Sequence, residues 1–154
     1  MNKQKLKVGI SAGDPNGIGI EVILKSLQNP KMLKLFNPVI FANTEIIEYQ
    51  MKAFNINLEL NSIKTFEDIC NDRINVFSLS LGNFKHNFGE ATTSGGEVAS
   101  KSLLKSAHAL KSGKIQALVT GPINKKNIQS DSFKFIGHTD FLSNFFSSES
   151  LMFM

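Results

Sequence analysis

Tryptophan is missing from this chain of 154 residues, and tyrosine and cysteine occur once each. With Cys70 alone, no intrachain disulfide can close and no thiolate cluster can hold a metal, which fits a reducing cytoplasm. Thirteen phenylalanines against a single tyrosine point to aromatic side chains used for packing rather than as a polar recognition surface. Long apolar runs are also absent. Nothing approaches the length of a membrane span, and the first residues, MNKQKLKVGISAGDP, reach Gly13 and Asp14 before any apolar stretch long enough for a secretory signal. The formal charge of +4 is spread over separated lysines with no run longer than two, so no stripe for nucleic acid is visible. Solvated faces with mild attraction for anionic metabolites are expected instead.

What is present suffices for one compact domain, since 42% of the residues are hydrophobic and 19% charged. Apolar, β-branched runs recur at Lys7 to Ala12, Pro38 to Ala42, Ile74 to Leu79 and Ala117 to Thr120. Helical patterns lie between them, near Ile18 to Gln28, Glu45 to Phe54, Gly95 to Ser112, Ile123 to Gln129 and Asp140 to Phe146. That alternation predicts an α/β domain with a largely parallel sheet. The middle third is the least informative.

The best-marked helix is TSGGEVASKSLLKSAHALKSG. Ser94 and Glu97 have capping-box spacing, Ala99, Leu103, Ala107 and Leu110 recur along one face, and Gly113 stands where a left-handed cap would end the helix. Gly95 and Gly96 in its first turn are unfavourable by roughly 1 kcal/mol each relative to alanine, so they either permit a close approach or are merely tolerated. At the other end, SSESLMFM finishes on an apolar run that reads as a strand entering a core, and such an end exposed would favour aggregation.

Three segments can carry chemistry. In GDPNGIGIE, Gly13 follows a strand, and Gly17 and Gly19 remove side chains where a helix begins, an arrangement that can present bare amides to a ligand. It is neither a Walker loop nor a dinucleotide fingerprint, and Asp14 and Glu21 disfavour a phosphate resting on it; a tight structural turn is an equal reading. In ALVTGPINKKNI, Lys125 follows the end of an apolar strand, where ligands of open α/β sheets collect, although a lone lysine is also an ordinary surface charge. In FIGHTDFLSNFF, His138 and Thr139 sit in a polar cluster among aromatics, with Thr139 placed to cap the next helix. His86 and His108 have no spaced partner for metal binding.

In this order, GDPNGIGIE, TSGGEVA, VTGPINK and GHTDF resemble the 4-hydroxythreonine-4-phosphate dehydrogenases of pyridoxal phosphate synthesis. The first motif is also similar to the GDGIGPE turn of isocitrate and isopropylmalate dehydrogenases. The resemblance implies their α/β three-layer fold, here incomplete, with residues 1–154 as the amino-terminal part of a two-domain dehydrogenase and the first turn as scaffold beside the cleft. It implies NAD-dependent oxidation of 4-phosphohydroxy-L-threonine, a small phosphorylated amino acid, followed by decarboxylation to 3-amino-2-oxopropyl phosphate in a cytoplasmic homodimer. His138 and Thr139 match the family's substrate-binding pair, and Lys125, in the TGPxxK segment, is a candidate anion contact or proton-transfer group. A divalent metal, zinc, magnesium or cobalt, is implied for the full-length family. Its three histidine ligands lie beyond this chain, so no metal residue is assigned, no nucleotide-contacting residue is identified, and the chain alone should be inactive. A related four-carbon hydroxy acid 4-phosphate as substrate, or a binding module without catalysis, are the competing expectations.

Overall fold

The computed structural model describes residues 5–80, 82 and 84–149. The apolar terminal run LMFM lies outside the described residues. Five strands form one sheet: β1 (Leu6–Ser11), β2 (Phe36–Ala42), β3 (Leu60–Ile63), β4 (Ile74–Ser78) and β5 (Ala117–Thr120). Every pairing is parallel and the spatial order is β3-β4-β2-β1-β5. Parallel neighbours need crossovers, which are supplied by α1 (Gly19–Leu27), α2 (Pro30–Leu35), α3 (Thr44–Ala53) and α4 (Thr93–Lys111); α5 (His138–Phe146) follows β5.

Alternation along the strands sorts the core into layers. Ile40 and Ala42 of β2, with Ile74 and Val76 of β4, face α1 and α3, where Ile20, Leu24, Ile46 and Ile47 close the cluster. Val39, Phe41 and Phe77 face the other side, packed with Ala109 of α4 and Ile115. The outer face of α4 presents Ala99, Leu103 and Ala107 to Phe133 and Phe141, so α4 lies between the sheet and the segment carrying α5. Ser102, fully buried on α4, bonds the residue after β1 and the penultimate residue of β2. Its Oγ accepts from the Ala12 amide at 2.8 Å and donates to the Phe41 carbonyl at 2.6 Å, satisfying two backbone groups beyond the ladder.

Several sequence expectations need correction. The helix expected over Ile123 to Gln129 is a turn: the Asn124 side chain accepts from the Lys126 amide at 2.9 Å, and the backbone of Asn127 is drawn against α4 instead of continuing upward. The Ser94–Glu97 capping box is replaced by Thr92, whose hydroxyl accepts from the Gly95 amide at 3.0 Å, and the helix starts earlier, at Thr93. Thr139 is not a cap either. Gly137 is the N-cap of α5, His138 and Thr139 lie in its first turn, and Asp140 accepts from the Ile136 amide at 3.0 Å. Three elements escaped the sequence reading: β3, whose four residues carry no clear alternation, α2, entered through Pro30 and capped by Asn29, and a single 3₁₀ turn at Phe66–Asp68. Gly113, with φ +70°, does follow α4 in the left-handed region.

Candidate active site

In the strand order, β5 lies on the opposite side of β1 from β2, so the chain changes direction between β1 and β5. Open parallel sheets bind ligands outside the carboxyl ends of the strands at such a reversal. A cavity of about 270 Å³ lies there, lined among others by Asp14, Asn16, Ile18, Glu90, Pro122 and Asn124.

The glycines of the first turn are spent on backbone packing. Gly13 has φ +70°, and a methyl group on it would fall 2.2 Å from the Pro122 carbonyl oxygen; on Gly19 it would meet the Pro122 ring at 2.9 Å. Gly121 is equally tight, 2.6 Å from the Ser11 carbonyl oxygen. The turns after β1 and β5 are thus interlocked, and the Asp14 amide donates to the Pro122 carbonyl at 3.1 Å. Gly13 and Gly19 thus make room for the turn after β5.

The glycine pair of α4 permits a close approach. A methyl on Gly96 would lie 1.8 Å from the Asn127 carbonyl oxygen, and one on Gly95 2.5 Å from Asp14 Oδ1. Bare helix backbone therefore admits both the turn after β1 and the turn after β5. A buried network joins them: Asp14 Oδ1 accepts from the Asn16 amide at 2.9 Å, Asp14 Oδ2 from Asn127 Nδ2 at 2.7 Å, and Asn127 Nδ2 also donates to the Thr92 carbonyl at 3.0 Å. Asn16 Nδ2 donates to Thr92 Oγ1 at 2.9 Å, while Asn16 Oδ1 accepts from the Asn87 amide at 2.8 Å and anchors the loop before α4. Asp14, Asn16, Thr92 and Asn127 are the residues sequence reasoning missed. The signal available was the Gly95–Gly96 pair itself, which marks an approach without naming the partner.

Lys125, His138 and Thr139 are not among the residues that line this cavity. The exposed Lys125 runs along the backbone before α5, its Cε 3.7 Å from where a Gly137 side chain would begin, and it makes no ion pair among the described residues. His138 is half-buried. Desolvation lowers its pKa below the ordinary 6.5, while a hydrogen bond with the Gly121 backbone opposes that shift. Its Nε2 is buried with no hydrogen-bond partner among the described residues. Thr139 is exposed beside it.

The family described as pyridoxal phosphate biosynthetic protein PdxA matches residues 34–154. The chain belongs to the PdxA family. It is 33% identical over 142 residues to a 4-hydroxythreonine-4-phosphate dehydrogenase of Bacteroides thetaiotaomicron, a match covering 92% of this chain and 39% of that protein. A Clostridium botulinum protein provisionally named D-threonate 4-phosphate dehydrogenase is 30% identical, with 97% of this chain and 46% of the relative covered. Among solved structures, a 4-hydroxythreonine-4-phosphate dehydrogenase from Burkholderia phymatum superposes with a TM-score of 0.87 at 23% identity, over 96% of this chain and 46% of that one. The fold is therefore the isocitrate dehydrogenase-like α/β fold of PdxA proteins, matched over part of its extent. The chain spans less than half the length of the relatives it matches.

Among the described residues no three His, Cys, Asp or Glu side chains lie together in a way that could hold a metal ion. The PdxA residues present here do not fit a metal centre, and no step is assigned to one on this chain. Nor is any helix of the described residues long and apolar enough to cross a membrane.

A second imidazole, His86, lies within a cluster of aromatic rings. His86 stacks on Tyr49 with ring centroids 3.9 Å apart and meets the edge of Phe84 at 5.0 Å, and burial lowers its pKa below 6.5. Both His86 and His138 favour the neutral form when folded. Their contribution to stability is complete above the unfolded value, near 6.5, and is lost as pH falls below it through the folded values. Urea unfolding should therefore show a falling midpoint between about pH 7 and 5, flattened in part by His86→Phe. A midpoint that holds constant over that range would contradict this account.

Proposed function

We propose that this chain is the amino-terminal part of a two-domain, NAD-dependent dehydrogenase that acts on 4-phosphohydroxy-L-threonine in pyridoxal phosphate synthesis, in the cytoplasm and as a homodimer. The observation that carries the reading is the neighbourhood of Lys125 and the Gly137–Thr139 segment at the carboxyl end of β5, in a chain of the PdxA family. In this reading the Lys125 ammonium meets the substrate's phosphate or carboxylate, or moves a proton. His138 and Thr139 hold the substrate through its hydroxyl and polar groups. The secondary alcohol gives a hydride to the nicotinamide and a proton to a base, and the 3-oxo acid so formed loses carbon dioxide to yield 3-amino-2-oxopropyl phosphate. The divalent metal that the resemblance implies would be held elsewhere in the longer protein.

The state of β5 supports a longer protein. Strands of a parallel sheet are ordinarily covered on both faces, yet β5 is an edge among the described residues and Val119 on it is 54% exposed. Further strands beside β5 would remove that exposure. A sister activity on D-threonate 4-phosphate has a specific observation in its favour, the 30% identity over 97% of the chain to the Clostridium botulinum relative. One assay separates these readings. The full-length protein is given NAD and, in turn, 4-phosphohydroxythreonine, D-threonate 4-phosphate and erythronate 4-phosphate, with reduced nicotinamide and carbon dioxide measured. The proposal expects the highest kcat/KM with the first. Preference for either of the others transfers the assignment to that substrate, and turnover of none leaves a binding module.

A further inference from the structure

One residue, Asp14, holds both ends of the segment from Pro122 to Asn127. The Asp14 backbone amide holds the near end through the Pro122 carbonyl at 3.1 Å, and the Asp14 side chain holds the far end through Asn127 Nδ2 at 2.7 Å. Between these pins lies Lys125, its Cε 3.7 Å from where a Gly137 side chain would begin, and immediately before the first pin stands Gly121, whose backbone bonds the His138 imidazole. We infer that Asp14 is a positioning residue, which sets the Lys125 ammonium and the His138 ring relative to one another without touching the substrate. This inference rests on the reading of Lys125 and His138 as site residues.

The chemistry of the pair is specific. Asn127 faces two acceptors, the Asp14 carboxylate and the Thr92 carbonyl, and only its NH₂ can satisfy both. Asp14 is 6% exposed, so an acceptor deprived of Asn127 has little water to turn to. Gly95 and Gly96 leave room for this carboxylate and for the Asn127 carbonyl, which explains why two residues unfavourable to a helix occupy its first turn. Asp14 thereby joins the beginning of the chain to the turn 113 residues later. Asn16 supports the carboxylate from the other side through its amide, so the bracket persists on one side when Asn127 alone is changed.

The test uses Asp14→Asn and Asn127→Ala in the full-length protein, with Ile47→Ala as a control that opens a cavity in the core on the other face of the sheet. Amide hydrogen exchange across residues 121–128 should rise by about tenfold or more in the two site variants, as expected when a hydrogen bond to a buried charge is lost, with exchange of β2 changed far less. The His138 ring, followed by NMR, should titrate at a pH different from wild type in both, because a loosened segment changes both the desolvation that lowers its pKa and the Gly121 backbone bond that raises it. Ile47→Ala should leave the His138 titration where it is. If Asp14→Asn does not fold, Asn127→Ala carries the test. Unchanged exchange over 121–128 together with an unchanged His138 titration overturns the inference. If those two readouts move while wild type fails to turn over any of the phosphorylated substrates, the proposed function falls and the positioning role stands.

Discussion

Gly96→Ala is expected to destabilise the protein by about 2 kcal/mol or more, although alanine is the better helix former by roughly 1 kcal/mol. Propensity and packing compete here, and the distance decides between them. The added methyl would lie 1.8 Å from the carbonyl oxygen of Asn127 and 2.5 Å from its carbonyl carbon, and neither atom belongs to a side chain that can swing away. Relief requires moving the whole turn after β5 off the helix, which breaks the bonds from Asn127 Nδ2 to Asp14 and Thr92. Gly95→Ala should cost less, because its obstacle at 2.5 Å is Asp14 Oδ1, the end of a side chain. Urea denaturation of the two variants beside wild type checks both the sign and the ranking. A Gly96→Ala midpoint at or above wild type would show that the turn is not seated on the helix.

Under the proposed function, Lys125→Met should lower kcat/KM of the full-length protein by about a hundredfold, the scale of losing a charge-assisted hydrogen bond to an anion of roughly 1.5–3 kcal/mol. Methionine retains most of the apolar stem that lies along Gly137 and removes only the ammonium. Since Lys125 is exposed and makes no ion pair among the described residues, folding stability should change little, and the loss will report on the site. A rise in KM with kcat preserved would identify an anion contact made equally in the ground and transition states. A fall in kcat alone would identify proton transfer. Unchanged values of both would remove Lys125 from the site.

The alternation of β-branched runs with helical patterns was legible because each signal is local. The strands at Ala117–Thr120 and Ile74–Ser78 and the long helix through Leu103 differ from expectation by only a residue or two. Local signals misled where a tertiary contact competed with them. Ser94 and Glu97 have the spacing of a capping box, yet Thr92 takes the cap because its hydroxyl also accepts from Asn16, far away in the chain. Residues 123–129 have helical composition, but Asn127 is held by Asp14 and Thr92 and its carbonyl packs on Gly96. The short β3 pairs with β4 through a register that no pattern of its own announces.

By itself the sequence determined the fold class, the positions of its glycine turns and the residue types available for chemistry, because periodicity and backbone permissiveness are properties of a few adjacent residues. Only the tertiary structure decided what those glycines face. The turn after β1 meets the turn after β5, and the first turn of α4 admits Asp14 and Asn127, contacts across more than thirty residues of chain that no local pattern encodes. It likewise put Lys125 beside Gly137 and left the His138 ring nitrogen buried without a partner among the described residues, since burial and proximity arise only when strands distant in sequence are laid side by side.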